Sequence, residues 1–232
     1  MIVNGLQKLS LLDYPTKTAA TIFFAGCNFR CPFCHNGDLV LNSEKADKID
    51  DEEIMEFLKT RVGLLDGICI TGGEPLLKND LMPFISKVKE MGFLVKLDTN
   101  GSFPMRLKEL LGSGMIDYVA MDVKNSKDKY GLTSGIPKIM QTDIINKIEA
   151  SIKLLTDSSV DYEFRTTVTK ELHDLNDMEE IGKWIQGSKK YVIQNFMDSE
   201  KTIAKGFSSQ DEEWILEAKK IVQKYVDEVL TR

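Results

Sequence analysis

Cysteine is scarce in this chain: there are 4 in 232 residues, and three of them crowd into positions 27–34. That is too few for a disulfide-stapled secreted scaffold, and a chain of this length buries a core without staples. A basic excess is also missing. Lys and Arg number 30 against 36 Asp and Glu, a net charge of −6, which excludes the cationic footprint that nucleic-acid binding needs. No apolar run is long enough to cross a bilayer, so no membrane partner is expected. The N-terminal MIVNGLQKLSLLDYP lacks the basic flank and continuous apolar stretch of a secretory signal. Exact repeats and low-complexity tracts are absent. The expectation is a cytoplasmic protein with one domain spanning residues 1–232, in which clustered cysteines bind metal.

What is present is a rhythm. Apolar or β-branched runs at 20–25, 67–71, 94–97, 118–123, 162–168 and 191–196 recur about every 25–30 residues, as in alternating strand–helix units. Between them, apolar residues fall at helical spacing: Leu81, Phe84, Ile85 and Val88, or Ile144, Ile148, Ile152 and Leu155. A last helix is expected to carry Trp214, Ala218, Ile221, Tyr225 and Val229, and Asp50, Asn79 and Thr142 are expected caps. Six such units imply a parallel sheet with right-handed crossovers. They are too few for a closed eight-fold barrel, so the expected fold is α/β, a partial (β/α)6 barrel. The irregular stretch 125–141 is long for a βα loop and reads as functional or mobile.

The polar motifs cluster where strands end. Residues 27–35 follow the first strand, 71–75 the second and 98–101 the third; Asp122 and Lys124 close the fourth, Arg165 lies late in the fifth, and Gln194 and Asn195 lie in the sixth. In parallel α/β folds ligands bind at that rim. Within GCNFRCPFCHN, the spacing Cys27-x3-Cys31-x2-Cys34 suits one metal centre. Zinc with His35 as fourth ligand is one reading, and an iron–sulfur cluster is another. Cys69, inside the apolar GICIT, reads as core. Asn100–Gly101 reads as a βα turn with positive φ, Asp122 and Lys124 as an ion pair on one strand face, and His173 as a surface histidine. Arg165, a charge in a half-apolar strand, needs a partner if buried.

The cysteine motif with an aromatic, Phe33, before its last cysteine, followed by TGGEP, resembles the radical S-adenosylmethionine (SAM) superfamily. The wider pattern GLQKLSLLDYP, FFAGCNFRCPFCHN, TGGEP, LDTNG and MDVK resembles the glycyl-radical-enzyme activating proteins. It is most similar to those that activate anaerobic ribonucleoside-triphosphate reductase. Thr16 is a departure, since relatives usually carry glycine after the proline; Gln194 and Asn195 stand where pyruvate formate-lyase types often have histidine.

The resemblance implies a radical SAM fold and a 4Fe–4S cluster held by Cys27, Cys31 and Cys34, with one iron left open for the methionyl moiety of SAM. It implies cofactor contacts from Phe33, Gly72, Gly73, Glu74, Asp98, Thr99, Asn100, Asp122, Lys124, Arg165 and Gln194. A monovalent cation at Asp98 and Thr99 belongs to the same pattern, as do a flavodoxin- or ferredoxin-type electron donor and a glycyl radical enzyme as partner. The expected activity is reductive cleavage of SAM and hydrogen abstraction from a backbone glycine. Two other readings are a radical SAM enzyme acting on a small molecule, like 7-carboxy-7-deazaguanine synthase, and a zinc-stabilised binding module without catalysis.

Overall fold

The computed structural model describes residues 1–232. The chain begins with β1 (Ile2–Val3), β2 (Gly5–Ser10), β3 (Ala19–Phe24), α1 (Gly37–Leu41), β4 (Ile49–Asp50), α2 (Asp51–Lys59) and β5 (Gly67–Gly72). It continues through α3 (Leu81–Glu90), β6 (Leu94–Thr99), α4 (Pro104–Gly112), β7 (Tyr118–Asp122), α5 (Tyr130–Ser134) and α6 (Gln141–Thr156). It ends with β8 (Asp161–Val168), α7 (Leu175–Trp184), β9 (Lys190–Asn195), α8 (Glu212–Val222) and β10 (Glu228–Thr231). The six expected strands are β3 and β5 to β9, and helices follow each in the expected order.

Two compact units divide the chain. The first comprises Met1–Asn28, Asp38–Thr99 and Met105–Val119; the second comprises Phe29–Gly37, Asn100–Pro104 and Ala120–Arg232. In the first, the strand order is β6-β5-β3-β2, with β3, β5 and β6 parallel and β2 antiparallel to β3. Ile22, Phe24, Ile68, Ile70, Val95 and Leu97 are buried on one side of their strands, and Ala19, Thr21, Cys69 and Lys96 on the other, so both faces of this parallel sheet are covered. α3 buries Leu81, Phe84, Ile85 and Val88, the face its spacing predicts. In the second unit the order is β10-β9-β8-β7, with β8, β9 and β10 parallel. Two of its deeply buried carboxylates pair with cations: both oxygens of Glu163 receive the Arg232 guanidinium at 3.1 Å each, and Asp177 receives the Lys129 ammonium at 2.6 Å.

Several expectations change. The last helix stops at Val222, and Val229 lies in β10, paired with Tyr191 of β9. Helical spacing at 225–229 yields there to the hydrogen bonds offered by a strand edge. The N-caps of α3 and α6 are Asp80 and Met140 rather than Asn79 and Thr142, while Asp50 caps α2 without a side-chain bond. The stretch 125–141 is not an open loop. Asn125 donates to Thr133 Oγ1 and to Leu172 O at 2.9 Å each, Ser126 donates to Asp177 at 2.8 Å, and Tyr130 is fully buried. The N-terminal strands β1 and β2 went unanticipated because their residues alternate weakly. Thr16, in the turn between β2 and β3, has φ 63°, the left-handed conformation in which glycine is strain-free.

Candidate functional site

In the first unit β3 and β5 run level, with Phe24 opposite Gly72. The chain leaving β3 therefore lies against the turn leaving β5. Gly73 N–H donates to Phe24 O at 2.7 Å, and Glu74 N–H donates to Gly26 O at 2.8 Å. Gly72 has φ 119°. A Cβ there would stand 2.3 Å from Phe24 O; one on Gly73 would stand 2.0 Å from Gly26 O and 3.3 Å from Cys27 N. The glycines were expected for the approach of a ligand. The first claim on their bareness is internal: they let the segment that carries Cys27 lie flat on the GGEP turn.

Glu74 is fully buried, and its Oε1 accepts from Leu76 N–H at 3.0 Å and from Thr99 Oγ1 at 2.9 Å. This carboxylate holds the β5 and β6 strand ends together. Asp98, half-buried, receives the ammonium of Lys96 on Oδ1 and the hydroxyl of Thr71 on Oδ2 at 3.3 Å. Cys69 lies in the core as expected, yet its sulfur is 3.6 Å from Lys96 Nζ and 3.7 Å from Asp98 Oδ1.

The second unit carries Phe29 to Cys34. Two aromatics pin this loop: Phe29 packs edge-on to Tyr130 at 6.4 Å, and Phe33 packs edge-on to both His173 and Phe207 at 6.4 Å each. Backbone bonds complete the hold, from Arg30 N–H to Ser134 O at 2.9 Å and from Ala204 N–H to Pro32 O at 2.8 Å. Gly135 (φ 66°) permits this, since a Cβ there would lie 2.2 Å from Arg30 O. Phe33 is thus an anchor of the cysteine loop. His35, the fourth ligand of the zinc reading, stacks on Phe196 at 5.3 Å and bonds Met197 O at 2.6 Å.

Asp122 sits between two cations, with Lys124 Nζ 2.9 Å from Oδ2 and Arg165 Nε 3.1 Å from Oδ1. Burial pushes its carboxyl up, but Arg165 and Lys124 outweigh that and hold it down at about 2. Burial disfavours the Lys124 ammonium too; Asp122, and beyond it Cys31 and Cys34, more than compensate and hold it above the usual lysine range. The cluster carries one surplus positive charge directed at the two thiols. Cys34 itself is pushed up, mainly by burial.

His173 is a correction: it is 4 % exposed, not a surface residue. Its Nδ1 accepts from Thr169 N–H at 3.2 Å, so Nε2–H donates to Lys124 O at 2.9 Å. Asn100 Oδ1 accepts from Ser102 N and Oγ, and Gly101 has φ 75°, as the turn reading predicts. Asn195 is tied by its side chain to the Gln210 backbone at 2.9 Å in both directions, whereas Gln194 is half-buried at the end of β9, opposite Thr167.

The four cysteines form no disulfide, and Cys27 and Cys34 are partly exposed. No three His, Cys, Asp or Glu side chains stand at the spacing of ligands to a single ion. In a cubane, each thiolate meets a different iron. Cys31 and Cys34 on the pinned loop, with Cys27 four residues before Cys31 in the chain, are a donor set whose chemistry fits such a cluster. Sequence reasoning missed Lys96, although a lysine two residues before Asp98 on the same strand face carries the same signal that marked Arg165.

The Radical SAM superfamily model matches residues 21–185. The chain belongs to this superfamily. Its radical SAM fold agrees with the crystal structure of a radical SAM methyltransferase from Sphaerobacter thermophilus, which matches 96% of the chain and 68% of that protein at TM-score 0.72 and 15% identity. "Putative glycyl-radical enzyme activating enzyme MJ1227" of Methanocaldococcus jannaschii is 38% identical, over 100% of this chain and 95% of its own length. The pyruvate formate-lyase-activating enzyme of Clostridium pasteurianum is 26% identical over 83% of the chain. The protein is a radical SAM enzyme of the activating-enzyme type, and a non-catalytic zinc module is set aside. No helix is long and apolar enough to cross a membrane.

Proposed function

We propose that this radical SAM enzyme generates the glycyl radical of an anaerobic ribonucleoside-triphosphate reductase. The observation that carries the reading is the extent of the likeness to an activating enzyme. It runs over 100% of the chain and 95% of that relative's own length. Among activating proteins, the combined pattern GLQKLSLLDYP, FFAGCNFRCPFCHN, TGGEP, LDTNG and MDVK most resembles those that act on this reductase.

Cys27, Cys31 and Cys34 would hold the 4Fe–4S cluster. With SAM bound there, the cluster would supply the electron for carbon–sulfur cleavage, and SAM would supply the hydrogen-abstracting adenosyl group and leave as methionine. The chain's own residues prepare the place. Phe29 and Phe33 fix the loop, and the positive charge of Lys124 offsets part of the burial that raises Cys34. The turn at Gly72 and Gly73 offers strand-end backbone groups to the methionyl moiety. Asp98, Thr99, Asn100 and Gln194 supply polar atoms for the rest of the cofactor. A flavodoxin- or ferredoxin-type protein in the cytoplasm would deliver the electron.

The test mixes the reconstituted enzyme, SAM, a strong reductant and the reductase from the same organism without oxygen. Electron paramagnetic resonance should show a glycyl doublet that collapses toward a singlet when the reductase carries glycine deuterated at Cα. A radical-free reductase beside a reacting pyruvate formate-lyase would move the assignment to that partner, which the Clostridium relative favours as second reading. Turnover of a small molecule in place of either protein would reject both.

A further inference from the structure

Asp98 and Thr99 were the residues expected to share a monovalent cation, and their surroundings do not fit one. Lys96 is 1% exposed, yet its Nζ pairs with Asp98 Oδ1 and touches Cys69 Sγ at 3.6 Å. The other carboxylate oxygen already accepts from Thr71 Oγ1 at 3.3 Å. The Thr99 hydroxyl proton goes to Glu74 at 2.9 Å. A buried ammonium survives only against a fixed counter-charge, and Asp98 is that charge. A metal cation on the same carboxylate would face a second positive charge at contact distance, with protein rather than water between them.

We propose that Lys96 is a built-in cation: its ammonium takes the position that a monovalent metal ion would occupy at Asp98, so that this enzyme binds SAM without one. The placement follows from the strand. In β6 residues 96 and 98 share a face, and β5 brings Cys69 and Thr71 against them, so a four-carbon side chain that cannot reach water turns onto the nearest carboxylate. Lys96 acts here as a positioning residue. It keeps Asp98 oriented and its charge balanced whatever the salt around the protein.

The anaerobic, cluster-loaded enzyme is dialysed against radioactive rubidium, and its SAM dissociation constant is measured in sodium, potassium and tetramethylammonium salts at one ionic strength. The wild-type protein should bind no rubidium and keep its SAM affinity within twofold across the three salts. Lys96→Met, which keeps length and removes charge, should bind about one rubidium per chain. It should also lose at least tenfold in SAM affinity in tetramethylammonium, with recovery in potassium. A purely structural lysine would give a less stable variant without this acquired salt dependence, and that result overturns the proposal. So does one rubidium per wild-type chain, or a tenfold affinity loss of the wild type in tetramethylammonium. Those wild-type measurements decide the matter even if Lys96→Met fails to fold.

Discussion

Replacing Gly73 by Ala puts one methyl group where the structure has none to spare. The added Cβ would lie 2.0 Å from Gly26 O, whereas ordinary contact begins near 3.4 Å, so the two backbones must part by about 1.4 Å. Parting them stretches Gly73 N–H to Phe24 O and Glu74 N–H to Gly26 O, now 2.7 and 2.8 Å. Each such bond is worth about 1 kcal/mol net, and forced overpacking adds about 1–3 kcal/mol. The expected loss is about 4 kcal/mol, a drop of roughly 12 °C in melting temperature for a chain of this size. Because Cys27 follows Gly26 directly, reconstituted iron per chain should fall as well. The assays are thermal unfolding of the metal-free protein by circular dichroism and iron analysis after anaerobic reconstitution. Gly112→Ala is the control: nothing lies within 4 Å of its Cβ in the last position of α4, and a gain of about 0.5 kcal/mol is expected. A Gly73→Ala protein that melts with the wild type and takes up full iron would refute the internal role assigned to this glycine.

Thr16→Gly should raise the melting temperature by about 3 °C, because relief of the left-handed strain at φ 63° exceeds the entropy cost of glycine. Asp122→Asn leaves Lys124 and Arg165 facing each other and should cost about 3 kcal/mol in urea unfolding, with part recovered in Asp122→Asn/Arg165→Met. The same carboxylate gives an acid signature. Its folded pKa of about 2 lies below the usual 3.8, so its stabilisation is complete above 3.8 and fades as pH falls toward 2. An unchanged acid-unfolding curve in Asp122→Asn would contradict that. Burial lowers the pKa of His173 from 6.5, so neutral His173 contributes its full share above pH 6.5 and loses it as the pH falls further. Urea midpoints between pH 8 and 5.5 should decline in the wild type and flatten in His173→Gln.

Much of this protein is legible in local pattern. The core strands announce themselves because both their faces are largely buried, which favours apolar runs, interrupted by Lys96 in β6 and by Glu163 and Arg165 in β8, and the helices between them need only one apolar stripe. The cysteine spacing and TGGEP are equally local, since a chelating loop and a turn are each specified by adjacent residues. Arg165 could be flagged for a partner from its setting alone, and Asp122 is that partner.

Other features depended on residues distant in sequence. Val229 stands at helical spacing yet pairs with Tyr191, because a strand edge supplies hydrogen bonds that a helix end would leave to water. His173 sits in the polar run KELHDL, but Thr169 and Lys124 together satisfy both ring nitrogens and draw it inside. The reason for Gly73 is a carbonyl 47 positions earlier in the chain. Lys96 shows the division most clearly. That 96 and 98 share a strand face follows from the two-residue period of β structure and is local. That this face is closed to water and lined by Cys69 and Thr71, so that the ammonium settles on Asp98, follows from the packing of β5 beside β6. Burial is a property of the neighbours a residue meets, and pairing follows from burial.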